Sequence, residues 1–169
     1  MKLILQTPRL ILREMHHGDL DFLAEMLGDP EVMRHFPSTE DRAGAIAHIQ
    51  RQIDRYATWG FGPWLVVNKE TNQPVGRVGL LRQEVDGASE VEVGYMIHRP
   101  FWRQGFAFEA AAACRDYVFH TLGRERVISL VRPENLPSAA VARKLGMQPE
   151  KEVMHHELKH TVFAMQRPK

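Results

Sequence analysis

The sequence has few of the features that would place it in a specialised class of protein. Of its 169 residues only Cys114 is a cysteine, which excludes an internal disulfide framework and suits a reducing compartment. The formal net charge of +1 gives no electrostatic reason to expect nucleic acid or an acidic membrane as partner. No apolar run approaches the roughly 20 residues of a membrane span. Gln6 and Pro8 interrupt the N-terminal apolar run that a signal peptide would need. We therefore expect a cytoplasmic protein that binds neither nucleic acid nor membrane.

What is present is an ordinary globular composition with clear periodicity. Hydrophobic residues make up 44% and charged residues 25%, and the length suits a single domain over residues 1–169. The apolar spacing predicts helices at about 19–29, 41–59, 105–122 and 135–146. It predicts strands at 9–13, twice within 63–85, and at 89–98, 126–131, 147–154 and 161–166. Seven strands and four helices in this order predict an α+β or α/β fold with one mixed sheet.

The residue spacing assigns side chains to particular faces in two of these elements. In the helix over 41–59, one face should carry the apolar side chains Ile46, Ile49, Ile53 and Tyr56. In the strand "SEVEVGYMIH", alternation puts two sets of side chains on opposite faces of the sheet. One set is Val91, Val93, Tyr95 and Ile97, and the other is Glu90, Glu92, Gly94 and Met96.

The stretch "HRPFWRQGFAFEA" opens a long alanine-rich helix without the Ser, Thr, Asp or Asn cap that most helices have. The N–H groups of a helix's first turn have no partner inside the helix, and they carry partial positive charge, so together they can bind an anion. Gly105 would let a ligand approach this backbone closely, because it has no Cβ. Taken alone, Gly105 has a plainer interpretation as a tight turn between strand and helix.

The string "YMIHRPFWRQGFAFEA", followed by "RPENLPSAAVARKLGM", closely resembles the GNAT superfamily of N-acetyltransferases, and within it the RimJ/RimL branch. Gly105 and Ala107 match the Gly-x-Gly/Ala end of the family signature, and Asn135 matches its asparagine. The segments "TPRLILRE", "GFGPW" and "EVGY" also resemble this branch, so the likeness covers nearly the whole chain. It implies an α/β/α-layered fold around a mixed, mostly antiparallel seven-stranded sheet, splayed between its fourth and fifth strands.

The resemblance also implies the cofactor, acetyl-coenzyme A, which donates the acetyl group. Its pyrophosphate would lie on the loop from Trp102 to Ala107, and its pantetheine arm would pair with backbone near Met96 and Ile97. Arg143 and Lys144 would meet its nucleotide end, or else form a solvated helix face. The implied cofactor-binding residues are Met96, Ile97, Trp102, Arg103, Gln104, Gly105, Phe106, Ala107, Asn135, Arg143 and Lys144.

The sequence departs from the family pattern at three positions. Trp102 stands where Gln or Arg is usual, which removes one polar contact, although this branch often carries Trp there. Arg103 follows where Gly is frequent, and it can either clamp a phosphate or crowd it. Ala142 stands where many members carry the Tyr that is proposed to protonate the leaving thiolate. The usual acid is therefore missing.

Acetyl transfer to an amine needs a neutral amine, donors for the developing oxyanion and a proton for the thiolate. Ser138 in "NLPS" resembles the proposed proton donor of the RimL type; its plainer role is a first-turn residue of the helix that Asn135 caps. Glu92 is the candidate base, directly or through a water, and its plainer role is a solvent-facing strand residue. Some relatives place a base on the fifth strand, but the comparable position here is Leu130.

We thus expect an N-acetyltransferase acting on a primary amine, either a protein α-amino terminus or a small amine, by direct attack in a ternary complex. The alternative is a non-catalytic acyl-coenzyme A sensor. Members of the branch are often dimers, and a homodimer is left open here. Phe36, Trp59 and Phe61 are the candidate acceptor-binding residues, or else simple packing. Alternation places His156 and His160 on one face and His155 on the other; a metal site there is not expected, and a role in acceptor binding is left open.

Overall fold

A computed structural model describes residues 2–169, which form one eight-stranded sheet flanked by four α-helices. The strands are β1 Leu3–Gln6, β2 Leu10–Arg13, β3 Pro63–Asn68, β4 Pro74–Val85, β5 Ala88–Ile97, β6 Arg126–Val131, β7 Gln148–His155 and β8 Leu158–Gln166. The helices are α1 Leu20–Gly28, α2 Arg42–Trp59, α3 Phe106–His120 and α4 Leu136–Lys144, with short 3-10 turns at His17–Asp19 and Arg99–Phe101. No helix within residues 2–169 is both long and apolar enough to cross a lipid bilayer.

The strand order is β1-β2-β3-β4-β5-β6-β8-β7, and every pair is antiparallel except β5 with β6. The predicted mixed, mostly antiparallel sheet with four helices is confirmed, but the predicted count of seven strands is wrong. The extra strand is β1, which pairs with β2 as a hairpin around Thr7–Pro8. Its sequence "LILQ" does not alternate, so period-two spacing could not identify it.

The helices cover opposite faces of the sheet. Cys114 and Val118 of α3 and Ala142 of α4 pack in one core cluster with Val93 of β5. Leu23 of α1 and Ile49 of α2 pack in a second cluster on the other face, where Met96 points. The predicted alternation of side chains along β5 is thereby confirmed, and the layers are helix, sheet and helix.

The predicted apolar face of α2 is only partly correct. Ile49 is fully buried, but Ile46 is 44% exposed, whereas the polar residues His48 and Gln52 are buried. Ile53 and Tyr56 pack with Ile49 as predicted, so the helix turns only Ile46 outward and buries His48 and Gln52 in addition. A buried polar pair is the feature that apolar periodicity cannot anticipate.

The sheet is splayed between β5 and β6, as predicted. These two strands share a single bridge, between Glu92 and Ile128, whereas β4 and β5 pair along their whole length. Beyond Glu92 the C-terminal half of β5 has no strand partner on this side. A wedge-shaped gap therefore opens in the middle of the sheet.

Two side chains hold the start of the splay by exchanging hydrogen bonds with the backbone. A continuing parallel ladder would bring the N–H of Leu130 to the carbonyl of Val93. Instead the Leu130 N–H donates to Glu92 Oε2 at 2.9 Å, and the Val93 carbonyl accepts from Ser129 Oγ at 2.7 Å. Both groups that the ladder would have paired are thus satisfied, although the strands separate. This exchange makes the gap compatible with a buried backbone.

Glu92 is therefore neither solvent-facing nor free. It is 7% exposed, and its second oxygen, Oε1, accepts from Gln83 Nε2 at 2.9 Å. Burial raises the pKa of the Glu92 carboxyl, against the opposing effects of the bonds from Leu130 and Gln83 and the charge of Arg77. The folded protein consequently favours the protonated form more than the unfolded chain does.

Replacing Glu92 by Gln should change the pH dependence of stability in a predictable direction. Because the folded pKa lies above the ordinary value of 4.5, the ionised carboxylate costs the wild type stability as pH rises from that value through the folded pKa. Gln does not titrate. The free energy of unfolding of Glu92→Gln, measured in urea titrations, should therefore increase relative to that of the wild type as the pH rises from about 5 to about 8.

Glu84→Gln is the matched control, since Glu84 is an exposed carboxylate on β4. Its difference from the wild type should be nearly the same at the two pH values. A Glu92→Gln difference that is equally flat would contradict the burial-driven shift.

Candidate active site

The N-terminus of α3 is open, as its sequence predicts. Its capping position is Gly105, which is in the left-handed region at φ 79°, and no side chain donates or accepts a capping bond there. Arg103 is also left-handed at φ 61°, so the loop turns sharply before the helix. A Cβ on Gly105 would have only the Arg9 guanidinium within 4 Å. The first-turn N–H groups are therefore directed at an accessible loop, which suits a phosphate.

The loop is braced by Arg9, which sequence reasoning did not identify. Arg9 Nε donates to Glu109 Oε2 at 2.6 Å, and Arg9 Nη1 donates to the carbonyl of Gln104 at 2.8 Å. The hydroxyl of Thr7 donates to Glu109 Oε1 at 2.6 Å. Burial acts to raise the pKa of Glu109, but the bonds from Thr7 and Arg9 and the Arg9 charge outweigh it and lower the pKa. No spacing pattern joins residues a hundred positions apart.

The backbone of β5 presents its groups to the splay in alternation. The N–H of His98 donates to Val75 of β4 at 2.8 Å, so Met96, two residues earlier, also directs its backbone groups toward β4. The carbonyl of Met96 lies against Gly76 of that strand. The predicted pairing of Met96 with pantetheine is therefore incompatible with its geometry, because β4 already occupies that side. Tyr95 and Ile97 direct their backbone groups into the gap.

Trp102 ties the loop to the end of β5. Its indole Nε1 donates to the carbonyl of Ile97 at 2.7 Å, while 41% of the side chain stays exposed. The Trp that replaces Gln or Arg of the signature thus fixes the loop, and half of its ring remains available for contact with a ligand. Arg103, Gln104 and Gly105 are exposed beside it, and Phe106 and Ala107 begin the helix.

The first turn of α4 lies beside β5. Asn135 caps this helix by accepting from the Ser138 N–H at 3.2 Å, and the Tyr95 hydroxyl donates to the Ser138 carbonyl at 2.6 Å. Tyr95 therefore joins the splayed half of β5 to the turn that carries Ser138. The Ser138 side chain is half-buried, and its hydroxyl lies close to that of Tyr95. A hydroxyl at this place is able to turn toward the gap.

The two remaining candidates on α4, Arg143 and Lys144, point in different directions. Lys144 Nζ lies 4.2 Å from the Phe108 ring of α3, on the side of the uncapped helix. Arg143 instead lies over the Phe163 ring at 5.2 Å, in a cleft with Pro149. Its predicted contact with the nucleotide end of the cofactor is therefore not favoured by its position. Successive helical residues point about 100° apart, so one of the pair had to face away.

The three aromatic candidates lie in different places. Phe61 is 7% exposed and packs in the core on the α3 side, so the prediction that it lines an acceptor pocket is not supported. Trp59 is 46% exposed at the end of α2, where its ring meets Arg82 at 4.1 Å. Phe36 is 44% exposed in the segment between α1 and α2. Only the latter two offer free ring surface.

The C-terminal histidines lie around the β7–β8 turn. His156 and Glu157 form that turn with φ values of 49° and 64°, which resets the alternation of side chains. The His155 ring consequently lies 5.3 Å from the His160 ring on one face, and the predicted pairing of His156 with His160 is wrong. Within residues 2–169, no cluster of His, Cys, Asp and Glu has a geometry suited to a metal ion.

Comparison with known proteins gives the site its context. Residues 9–148 match the family model described as an acetyltransferase (GNAT) domain. An N-acetyltransferase of Bacillus licheniformis is 35% identical over 150 residues, which covers 86% of this chain and 83% of that protein.

Solved structures share the fold at lower identity. An acetyltransferase from Agrobacterium tumefaciens has a TM-score of 0.84 at 24% identity, over 99% of this chain and 95% of that one. A RimL ribosomal-protein alpha-N-acetyltransferase in complex with coenzyme A has a TM-score of 0.79 at 17% identity, over 98% of both chains. The chain therefore belongs to the GNAT family of N-acetyltransferases, enzymes that use acetyl-coenzyme A as the acetyl donor.

Proposed function

We propose that this protein transfers the acetyl group of acetyl-coenzyme A to a primary amine, on a protein α-amino terminus or a small molecule, in the manner of the RimJ/RimL branch. The observation that carries this proposal is the uncapped N-terminus of α3 at the end of the splayed strand. It offers a row of N–H groups for a pyrophosphate next to a row of backbone groups for an extended amide chain.

The donor would lie along this path. The pyrophosphate would bind the loop from Trp102 to Ala107, and the pantetheine arm would pair with the Tyr95 carbonyl and the Ile97 N–H in the gap. The open surroundings of Gly105 fit such a group, because a phosphate needs close approach to the backbone there. Asn135 and Lys144 would border the same side, and Arg9 would keep the loop in place.

For direct attack, the acceptor amine would enter from the α2 face of the sheet, opposite the face of α3 and α4. Glu92 points toward α2, and Ser138 approaches β5 from the face of α3 and α4, so a base and an acid would flank the thioester carbon. The thioester supplies an acyl group already activated toward amines. The N–H of Tyr95 would stabilise the oxyanion, Glu92 would accept the amine proton through a water, and Ser138 would supply the thiolate proton.

A second candidate is a non-catalytic acyl-coenzyme A sensor. Two features favour it: the buried Ala142 stands where the family resemblance implies a tyrosine, and both oxygens of Glu92 already accept hydrogen bonds. A sensor needs the donor site only. The two functions therefore differ in turnover and not in cofactor binding.

The test of the proposed function is release of coenzyme A from acetyl-coenzyme A across a panel of N-terminal peptides, small amines and amine antibiotics. Release that depends on one class of amine is expected, with mass-spectrometric detection of the acetylated product. Saturable binding of acetyl-coenzyme A without release on any amine would favour the sensor and overturn acetyl transfer.

Replacing Gly105 by Val should remove cofactor binding. A branched side chain would stand between the loop backbone and a pyrophosphate, so binding of coenzyme A should fall below detection by calorimetry. Gly87→Val is the matched control, because Gly87 has the same φ of 79° in the β4–β5 turn and nothing within 4 Å of a Cβ. Both variants carry similar backbone strain, so unchanged binding by Gly105→Val would contradict the pyrophosphate site.

Ser138→Ala should lower kcat by about tenfold or more while the affinity for coenzyme A stays near that of the wild type, because an acid acts only in the chemical step. Initial rates and calorimetry separate the two quantities. Ser89→Ala, at an exposed position of β5, should change neither. Equal losses of turnover and affinity would make Ser138 a binding residue and remove it from the chemistry.

A further inference from the structure

The polar stripe of α2 consists of His48, Arg51, Gln52 and Arg55, whose spacing places them on one side of the helix. Gln52 is fully buried and His48 is 8% exposed. The stripe is internally bonded: Arg55 Nη1 donates to Gln52 Oε1 at 2.8 Å, and Gln52 Nε2 donates to the carbonyl of His48 at 3.0 Å. These bonds fix the Arg55 side chain along the helix.

Arg77 of β4 lies close enough to this stripe for its charge to act on His48. It pairs with Met96 of β5, so its side chain points to the same face of the sheet as Met96 and Glu92. Its Nε is wholly buried and has no hydrogen-bond partner. Within residues 2–169, its terminal nitrogens have no protein partner either. They are accessible to solvent, and the residue as a whole is half-buried. The end of the guanidinium therefore faces a space that solvent reaches.

The unpaired state of Arg77 contrasts with the other sheltered arginines of the chain. Arg13 lies 2.8 Å from Asp19, and Arg126 lies 2.9 Å from Glu90. Arg77, Arg51 and Arg55 have no carboxylate within 4 Å in the part of the chain that the structure describes. The buried part of the Arg77 guanidinium, its Nε, therefore lacks the partner that a desolvated charge normally has.

The charges around Arg77 leave a local excess of positive charge. Burial and the charges of Arg77, Arg51 and Arg55 lower the pKa of His48 to about 2, so this imidazole is neutral. Burial and the neighbouring Arg55 lower the pKa of Arg77 to about 10, which leaves it protonated at neutral pH. Glu92 is the carboxyl group whose charge acts on Arg77, and both of its oxygens already accept hydrogen bonds from Gln83 and Leu130.

We propose that the acceptor amine carries an anionic group, a carboxylate or a phosphate, and that Arg77 binds it with Arg55 of the α2 stripe beside it. This inference rests on the proposed function, since it places the acceptor on the α2 face next to Glu92. A planar guanidinium with free terminal nitrogens matches either anion in a bidentate manner. Arg77 thus acts as a specificity-determining residue, and a polyamine would be repelled from the same place.

The test compares amines that differ only in the anionic group. Initial rates of coenzyme A release are measured for α-amino acids against their carboxamides, and for phosphoethanolamine against ethanolamine. The anionic member of one pair should have a kcat/KM higher by about tenfold or more. The two pairs distinguish a carboxylate from a phosphate. Equal or higher kcat/KM for the neutral members of both pairs would overturn the proposal.

Variants assign the preference to Arg77. In Arg77→Met, kcat/KM for the anionic member should fall to that of the neutral member. The rate on the neutral member and the affinity for coenzyme A should stay unchanged. Arg77→Lys keeps the charge without the planar fork and should retain part of the preference. Arg124→Met is the matched control at an exposed position and should leave the ratio unchanged. Equal losses on both members in Arg77→Met would make Arg77 structural only.

Calorimetry on the enzyme saturated with coenzyme A separates this inference from the proposed function. If no amine of the panel releases coenzyme A, acetyl transfer fails, and binding of phosphoethanolamine and of α-amino acids then decides the matter alone. Binding of one of them that is lost in Arg77→Met supports the anion site. Binding of neither, or binding that Arg77→Met leaves unchanged, overturns it.

Discussion

The working parts of this protein depend on the exchange of hydrogen bonds where β5 leaves β6. The Glu92 carboxyl accepts from the N–H of Leu130, and the Ser129 hydroxyl donates to the carbonyl of Val93. Two buried strands therefore separate without leaving the polar groups at this point unpaired. Unpaired backbone inside a sheet would cost about 1–3 kcal/mol for each group. With the exchange in place, the groups further along β5 face a gap that a ligand chain can enter.

The splay also decides how the two faces are used. The uncapped end of α3 and the first turn of α4 lie on one face, and α2 covers the other. A donor and an acceptor can therefore meet at β5 without competing for the same entrance. The brace from Arg9 and Glu109 belongs to this arrangement, because it joins the first hairpin to a loop whose own backbone is left-handed at Arg103 and Gly105.

Local signals predicted most helices and strands and the uncapped start of α3, whereas the resemblance to the GNAT superfamily supplied the layers and the splay. Gly105, Asn135 and the alternation of β5 are each readable within a few residues. What it missed depends on contacts between distant segments: the bond from Arg9 to Glu109, the role of Ser129, and the backbone direction that excludes Met96. The Ser138, Glu92 and cofactor roles remain predictions that the variants above address.

The helix whose predicted face was only partly correct is also the one that lies near the unpaired Arg77. Packing Ile46 inward and leaving His48 and Gln52 outside would have followed the apolar pattern, and replacing buried ionic groups by well-packed hydrophobic ones is often neutral or stabilising by about 1–4 kcal/mol. The chain instead buries His48 and Gln52, near Arg77. A sequence that departs from its own local preference without a structural gain does so most readily at a functional site. The buried polar residues of α2 and the unpaired Arg77 therefore support the same inference, an acceptor site on the α2 face that receives negative charge.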